Sequence, residues 1–140
     1  MPGIKIVIGV KNGRCVQREL TEDQSKNLYG KKIGDTLQGD IIGLAGYEFL
    51  ITGGSDYCGF PMRKDVTGLN RRKILAVEGV GLRKKAAGIR VRKTVAGNTI
   101  HQKIHQINLK VVKEGQEKLV VEELTKTSEV SAASSEQTAA

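Results

Sequence analysis

Ile4, Ile6, Ile8 and Val10 alternate with Lys5, Val7 and Gly9, the period of two that sends one set of side chains to a buried face of a strand. Lys11-Asn12-Gly13-Arg14 carries an Asn-Gly turn, and residues 15–20 resume an extended pattern, so the opening predicts a hairpin. Thr21-Glu22-Asp23-Gln24 has the spacing of a capping box, in which a hydroxyl and an amide satisfy amides that the first helical turn leaves bare. Glu22 and Asp23 suit the positive end of a helix dipole and Gly30 offers a stop, which predicts a short helix over 22–29.

Beyond it the pattern changes. Five glycines between residues 30 and 46 argue for turns and short extended pieces rather than a long helix. Residues 47–52 read as a strand that Gly53-Gly54 ends, and a second strand core lies at Ile74-Leu75-Ala76-Val77. Ile89-Arg90-Val91-Arg92 alternates cleanly, apolar one way and cationic the other. After a turn expected at Ala96-Gly97-Asn98, residues 99–113 form a long extended stretch with Ile107, Leu109 and Val111 on one face. Residues 118–124 could add a last strand or a helical turn. These elements predict a mainly β fold: a small β-barrel of about six strands with one or two short helices. Residues 1–126 form its domain. Residues 127–140, rich in Ser, Ala, Thr and Glu with Val130 as the one strong apolar side chain, are expected to be a disordered acidic tail.

Composition agrees with strands, since Val and Ile together number 25 against 11 Leu. The 140 residues contain no apolar run near the ~18 that cross a bilayer, and Lys5 interrupts the only run that could open a secretory leader. Cys15 and Cys58 are too few and too far apart for a disulfide framework, and they suit a reducing cytoplasm.

Charge changes the picture more. The formal net charge of +8 averages three unlike regions. Residues 1–60 balance to zero, residues 61–113 carry fourteen cations against Asp65 and Glu78, and residues 114–140 balance to −4. Cations so nearly unpaired repel one another on a small domain until an anion meets them, so the middle region predicts a polyanion partner. Eleven of the fourteen are the candidate RNA contacts: Arg63 and Lys64 after a glycine turn, Arg71, Arg72 and Lys73 opening a strand, Arg83, Lys84 and Lys85 in a loop, and Arg90, Arg92 and Lys93 along another strand. Arginine forks suit bidentate phosphate contact, and the scarcity of aromatics in the set argues for phosphate and shape recognition of structured RNA over base stacking.

Other chemistry is weaker. His101 and His105 are four apart, which on a helix would place both imidazoles on one face; an extended chain would separate them by about 13 Å. Gly79-Val80-Gly81 before Arg83-Lys84-Lys85 matches neither a P-loop nor a dinucleotide fingerprint, and reads instead as a basic loop able to approach phosphates. Ser55 and Cys58 could serve a nucleophilic site only if the fold brought a histidine to them. No metal, cofactor or small-molecule substrate is expected.

One segment is far more specific. Ile51-Thr52-Gly53-Gly54-Ser55-Asp56-Tyr57-Cys58-Gly59-Phe60-Pro61-Met62 has an aliphatic, a small residue, Gly-Gly-x-Asp, two free positions and Gly-x-Pro-Met. It resembles the signature of the family of small-subunit ribosomal protein six of the eukaryotic/archaeal type. The likeness continues through Arg63-Lys64-Asp65-Val66, Arg71-Arg72-Lys73-Ile74-Leu75, Arg90-Val91-Arg92-Lys93-Thr94-Val95, Gly97-Asn98-Thr99-Ile100 and Gln106-Ile107-Asn108-Leu109-Lys110-Val111-Val112. Gly53 and Gly54 allow a tight exit from a strand, Asp56 can bond turn amides, Gly59 permits the turn, and Pro61 with Met62 fixes re-entry. The resemblance implies a β-barrel bound to small-subunit ribosomal RNA beside neighbouring ribosomal proteins, cytoplasmic, structural and non-catalytic. Eukaryotic members add a basic C-terminal helix ending in phosphorylated serines. Here Ser128, Ser131, Ser134 and Ser135 stand among Glu129, Glu136 and alanines, so the chain resembles the short archaeal form. A free-standing RNA-binding regulator or chaperone on the same fold is the alternative.

Overall fold

The computed structural model describes residues 3–83 and 87–115. The strand or turn expected over 118–124, the acidic tail over 127–140, and the cations Lys84 and Lys85 lie outside the described residues.

Seven strands form. β1 (Lys5–Gly9) and β2 (Cys15–Glu19) make the expected hairpin, α1 (Glu22–Lys26) follows, and β3 (Thr36–Gln38) runs into a single 3-10 turn at Gly39–Ile42. β4 (Glu48–Asp56), β5 (Arg72–Ala76), β6 (Val91–Val95) and β7 (Ile104–Lys113) complete the order. The hairpin turn is a three-residue loop: Val10 N donates to Arg14 O, Gly13 N donates to Val10 O, and Gly13 takes the left-handed φ of 80° that closes it. At α1 the Gln24 side chain accepts from the Thr21 amide at 3.3 Å, as the capping box requires. The helix proper ends at Lys26, and residues 27–30 continue only as turns.

Five strands share one sheet in the order β2-β1-β7-β4-β3, and among the described residues β5 pairs only with β6. β1 and β7 are parallel, and the remaining neighbours are antiparallel. The register explains the core. Ile6 faces Ile107, Ile8 faces Leu109, and Phe49 and Ile51 of β4 face Val111 and Leu109. All of these are at most 3 % exposed, so alternation in three strands lays one apolar sheet face. Leu28, Ile42, Leu44, Met62, Ala96 and Ile100 join that core from the connecting segments, and Ile104 from the start of β7.

The closed barrel does not appear among the described residues: β2 and β3 remain edges. β3 has only three residues before Gly39 diverts the chain into its 3-10 turn, too little strand to complete a ring. Isolated bridges instead tie loops around the sheet, Lys32 to Thr99, Ser55 to Pro61 and Met62 to Ala96.

Three further expectations are corrected. β4 does not end at Gly53-Gly54 but runs on to Asp56, across register shifts at Ile51/Gly53 and Ser55/Asp56. A Cβ at Gly54 would run into the Gln106 carbonyl oxygen of β7, so this glycine serves close strand approach rather than chain exit. Ala96, Gly97 and Asn98 are not an exposed turn; all three are buried beneath residues 64–68. There Asn98 donates to Lys64 O and accepts from Gly68 N, each at 3.4 Å, and its amide donates to Val66 O at 2.8 Å. The long stretch expected over 99–113 likewise begins as a turn, with Ile104 N bonding His101 O before β7 sets in.

Candidate nucleic-acid interface

β5 and β6 form a two-stranded ribbon whose register fixes which side chains share a face. Opposed residues of an antiparallel pair point the same way. Lys73 faces Thr94 and Leu75 faces Arg92, so Lys73 and Arg92 share one side. Arg72 faces Val95 and Ile74 faces Lys93, so Arg72 and Lys93 share the other. All four cations are exposed, and Arg90 stands exposed just before the strand rather than on the same strand face as Arg92. Among the described residues none of these five takes part in an ion pair, whereas Lys5, Lys11, Lys26 and Lys113 elsewhere do. Arg83 is exposed beyond the turn at 79–82, and Lys64 is exposed near Gly34. The ribbon also leaves apolar side chains in water, with Leu75 63 % exposed and Val77 and Ile89 exposed next to the end where Ala76 pairs with Val91; Val80 is exposed on the loop that folds back onto Arg63.

Two predicted contact residues are committed to the protein itself. Arg63 is only 13 % exposed, bonds Asp65 at 2.7 Å and donates to Val80 O at 3.1 Å, bracing the loop at 79–81. Arg71 donates from Nε to Asp56 Oδ2 at 2.5 Å, and its guanidinium lies 4.8 Å from the Tyr57 ring centroid and 5.0 Å from that of Phe60. The hydrogen bond to Asp56 above all, assisted by Tyr57, keeps this guanidinium charged beyond the already high arginine range.

That cluster is what the signature builds. Asp56 is 3 % exposed; its Oδ1 accepts from Tyr57 N at 2.6 Å, its amide bonds Phe60 O, and its carbonyl accepts from Gly59 N. Gly59 takes φ 82° to make the turn, and Met62 N returns to Gly54 O at 2.9 Å, placing Met62 in the core and Pro61 against Ser55. The signature therefore folds back on β4 and aims Tyr57 and Phe60 at Arg71. Tyr57 and Phe60 were not candidate ligand-facing residues in the sequence, because the arginine they flank comes from a separate basic block.

Cys15 and Cys58 are exposed free thiols. His101 is half-buried in a turn with Nδ1 3.3 Å from Thr99 O, and His105 is on β7. Among the described residues no three His, Cys, Asp or Glu side chains converge to hold a metal, and no helix is long and apolar enough to cross a membrane.

Residues 4–126 match the family described as ribosomal protein S6e. The chain is 52 % identical over 114 residues to the small ribosomal subunit protein eS6 of Nanoarchaeum equitans, covering 81 % of this chain and 83 % of that protein. It is 47 % identical over 115 residues to that of Methanothermobacter thermautotrophicus, covering 82 % and 90 %. With that of Archaeoglobus fulgidus it shares 44 % over 125 residues, covering 89 % and 95 %. With the signature loop, its flanking blocks and these relatives in agreement, the chain belongs to the ribosomal protein S6e family.

Proposed function

We propose that this chain is a structural, non-catalytic constituent of the small ribosomal subunit in the cytoplasm, holding ribosomal RNA through its basic ribbon and taking part in subunit assembly. The observation that carries the reading is the set Arg72, Lys73, Arg90, Arg92 and Lys93, exposed on both faces of a narrow ribbon and without carboxylate partners among the described residues. A two-stranded ribbon is narrow enough to lie along a groove, and cations on both faces can meet two phosphate backbones at once. Lys64 and Arg83 extend the surface, and Lys84 and Lys85 continue it in sequence. Arg63 and Arg71 act mainly by bracing it, through Val80 and Asp56. The exposed apolar end of the ribbon, with Leu75, Val77 and Ile89, suits a neighbouring ribosomal protein. Residues 1–126 would then be the RNA-binding domain and residues 127–140 an acidic appendage.

The test is sedimentation of the tagged chain through a gradient. Recovery with small subunits is expected; recovery only in the soluble fraction, or on other RNAs, would favour a free-standing regulator or chaperone.

A further inference from the structure

At the foot of the ribbon Asp56, Tyr57, Leu69, Asn70, Arg71, His101 and Lys103 line a pocket of about 420 Å³. That size falls in the range of small-ligand sites. We propose that this pocket receives one unpaired nucleotide of the bound RNA, with the base against Tyr57 and its phosphate at Lys103. The inference rests on the RNA-binding reading and adds a base-stacking subsite to it.

The lining has the chemistry of a nucleobase rather than of a bare phosphate. Tyr57 is 61 % exposed and Leu69 50 % exposed, which supplies apolar surface for a flat ring. The Arg71 guanidinium lies over the tyrosine ring and adds a planar cation to that stack. Polar edges find partners as well. The Asn70 amide carries donors and an acceptor. His101 Nδ1 faces the Thr99 carbonyl at 3.3 Å, which holds the imidazole in place on the pocket wall. Arg71 Nη2 is buried with no acceptor among the described residues, so one donor of the cluster remains unsatisfied.

Charge sets the orientation. The Asp56 carboxylate is the most buried lining group and would repel a phosphate that entered deeply, whereas Lys103 is exposed. Base inward and phosphate outward is the arrangement that meets both. Continuity supports it further: Arg71 immediately precedes β5, so RNA lying on the ribbon cations passes the pocket mouth. The backbone also holds the tyrosine in place, since Tyr57 N bonds Lys103 O at 3.0 Å and Asp56 Oδ1 at 2.6 Å.

The experiment measures binding of the full chain to an archaeal small-subunit ribosomal RNA transcript across a salt series. It compares Tyr57→Ala, Tyr57→Phe and the ribbon pair Lys73→Gln with Arg92→Gln. Tyr57→Ala is expected to weaken binding about 5- to 150-fold, the share of one stacked base, with the salt slope unchanged and with Tyr57→Phe close to wild type. The ribbon pair is expected to flatten the salt slope instead. Normal binding by Tyr57→Ala, with a weakened ribbon pair, overturns the pocket and leaves the RNA reading standing. Absence of salt-sensitive binding by the wild type overturns both. Should Tyr57→Ala fail to fold, ultraviolet crosslinking of wild-type protein in assembled subunits decides: a Tyr57–nucleotide adduct supports the pocket, and a Tyr57 adduct to another protein overturns it.

Discussion

Gly53 and Gly54 are adjacent in one signature, yet the fold asks different things of them. At Gly54 a Cβ would collide with the Gln106 carbonyl oxygen and lie 3.1 Å from the Met62 sulfur, which is itself in the core. At Gly53 a Cβ would meet nothing within 4 Å. Neither glycine takes a positive φ, so only space separates them. Gly54→Ala must therefore push β4 off β7 in the middle of the sheet, an overpacking that costs about 1–3 kcal/mol. Gly53→Ala meets no such contact and lowers the entropy of the unfolded chain, which stabilises by about 0.4–1 kcal/mol. Urea melts followed by circular dichroism resolve the difference. With a slope near 2 kcal/mol/M, Gly54→Ala shifts the midpoint down by roughly 0.5–1.5 M while Gly53→Ala leaves it level or raises it slightly. Equal midpoints for the two variants would refute the argument that the β4–β7 approach demands a glycine. A loss of RNA affinity by stable Gly53→Ala would instead assign that bare position to ligand contact.

Other outcomes are equally specific. Phe49→Ala removes a fully buried ring stacked on Tyr47 at 5.6 Å and should cost about 3–5 kcal/mol in the same melts. Ile107→Ala, at the junction of β1, β7 and β4, should cost about 2–5 kcal/mol by the same cavity argument. Replacing any one of Arg72, Lys73, Arg92 or Lys93 by Gln should reduce the slope of log affinity against log salt by about 0.7–0.9, whereas Arg63→Gln should lower the melting temperature of the free protein. Both thiols should react with a disulfide reagent in the native state, since Cys15 and Cys58 are exposed, and a lag until denaturant is added would contradict that.

Local patterns were legible from the residues where one strand carries its own signal. Ile6 and Ile8 alternate towards the core as expected, and the Asn-Gly turn and the Thr21–Gln24 box lie where their spacing puts them. What single-strand patterns cannot carry is pairing. Nothing in Ile4 to Val10 distinguishes a barrel stave from a central strand flanked by β2 and β7, and the open sheet follows from three-residue β3. The role of Gly54 is hidden from one-dimensional patterns for a related reason. Gly54 looks like a breaker in one dimension and is a contact point in three, because Gln106 approaches it from a strand far along the chain. The basic surface was legible as a run of charge. Which cations are free was not, since Arg63 and Arg71 lose their freedom to Val80, Asp65 and Asp56 only after folding. Tyr57 and Phe60 enter the site by the same tertiary route.

The parallel pairing of β1 with β7 has a consequence for how the chain is made. Ile6 leaves the ribosome first and cannot complete its sheet until Ile107 has emerged. Such a long-range closure is slow, and the ribbon of β5 and β6, paired only with itself, can form before it. During synthesis the ribbon cations Arg72, Lys73, Arg92 and Lys93 thus emerge ahead of a finished core. Nascent protein and ribosomal RNA could meet in that interval, so the order of folding and the order of assembly become parts of one kinetic problem.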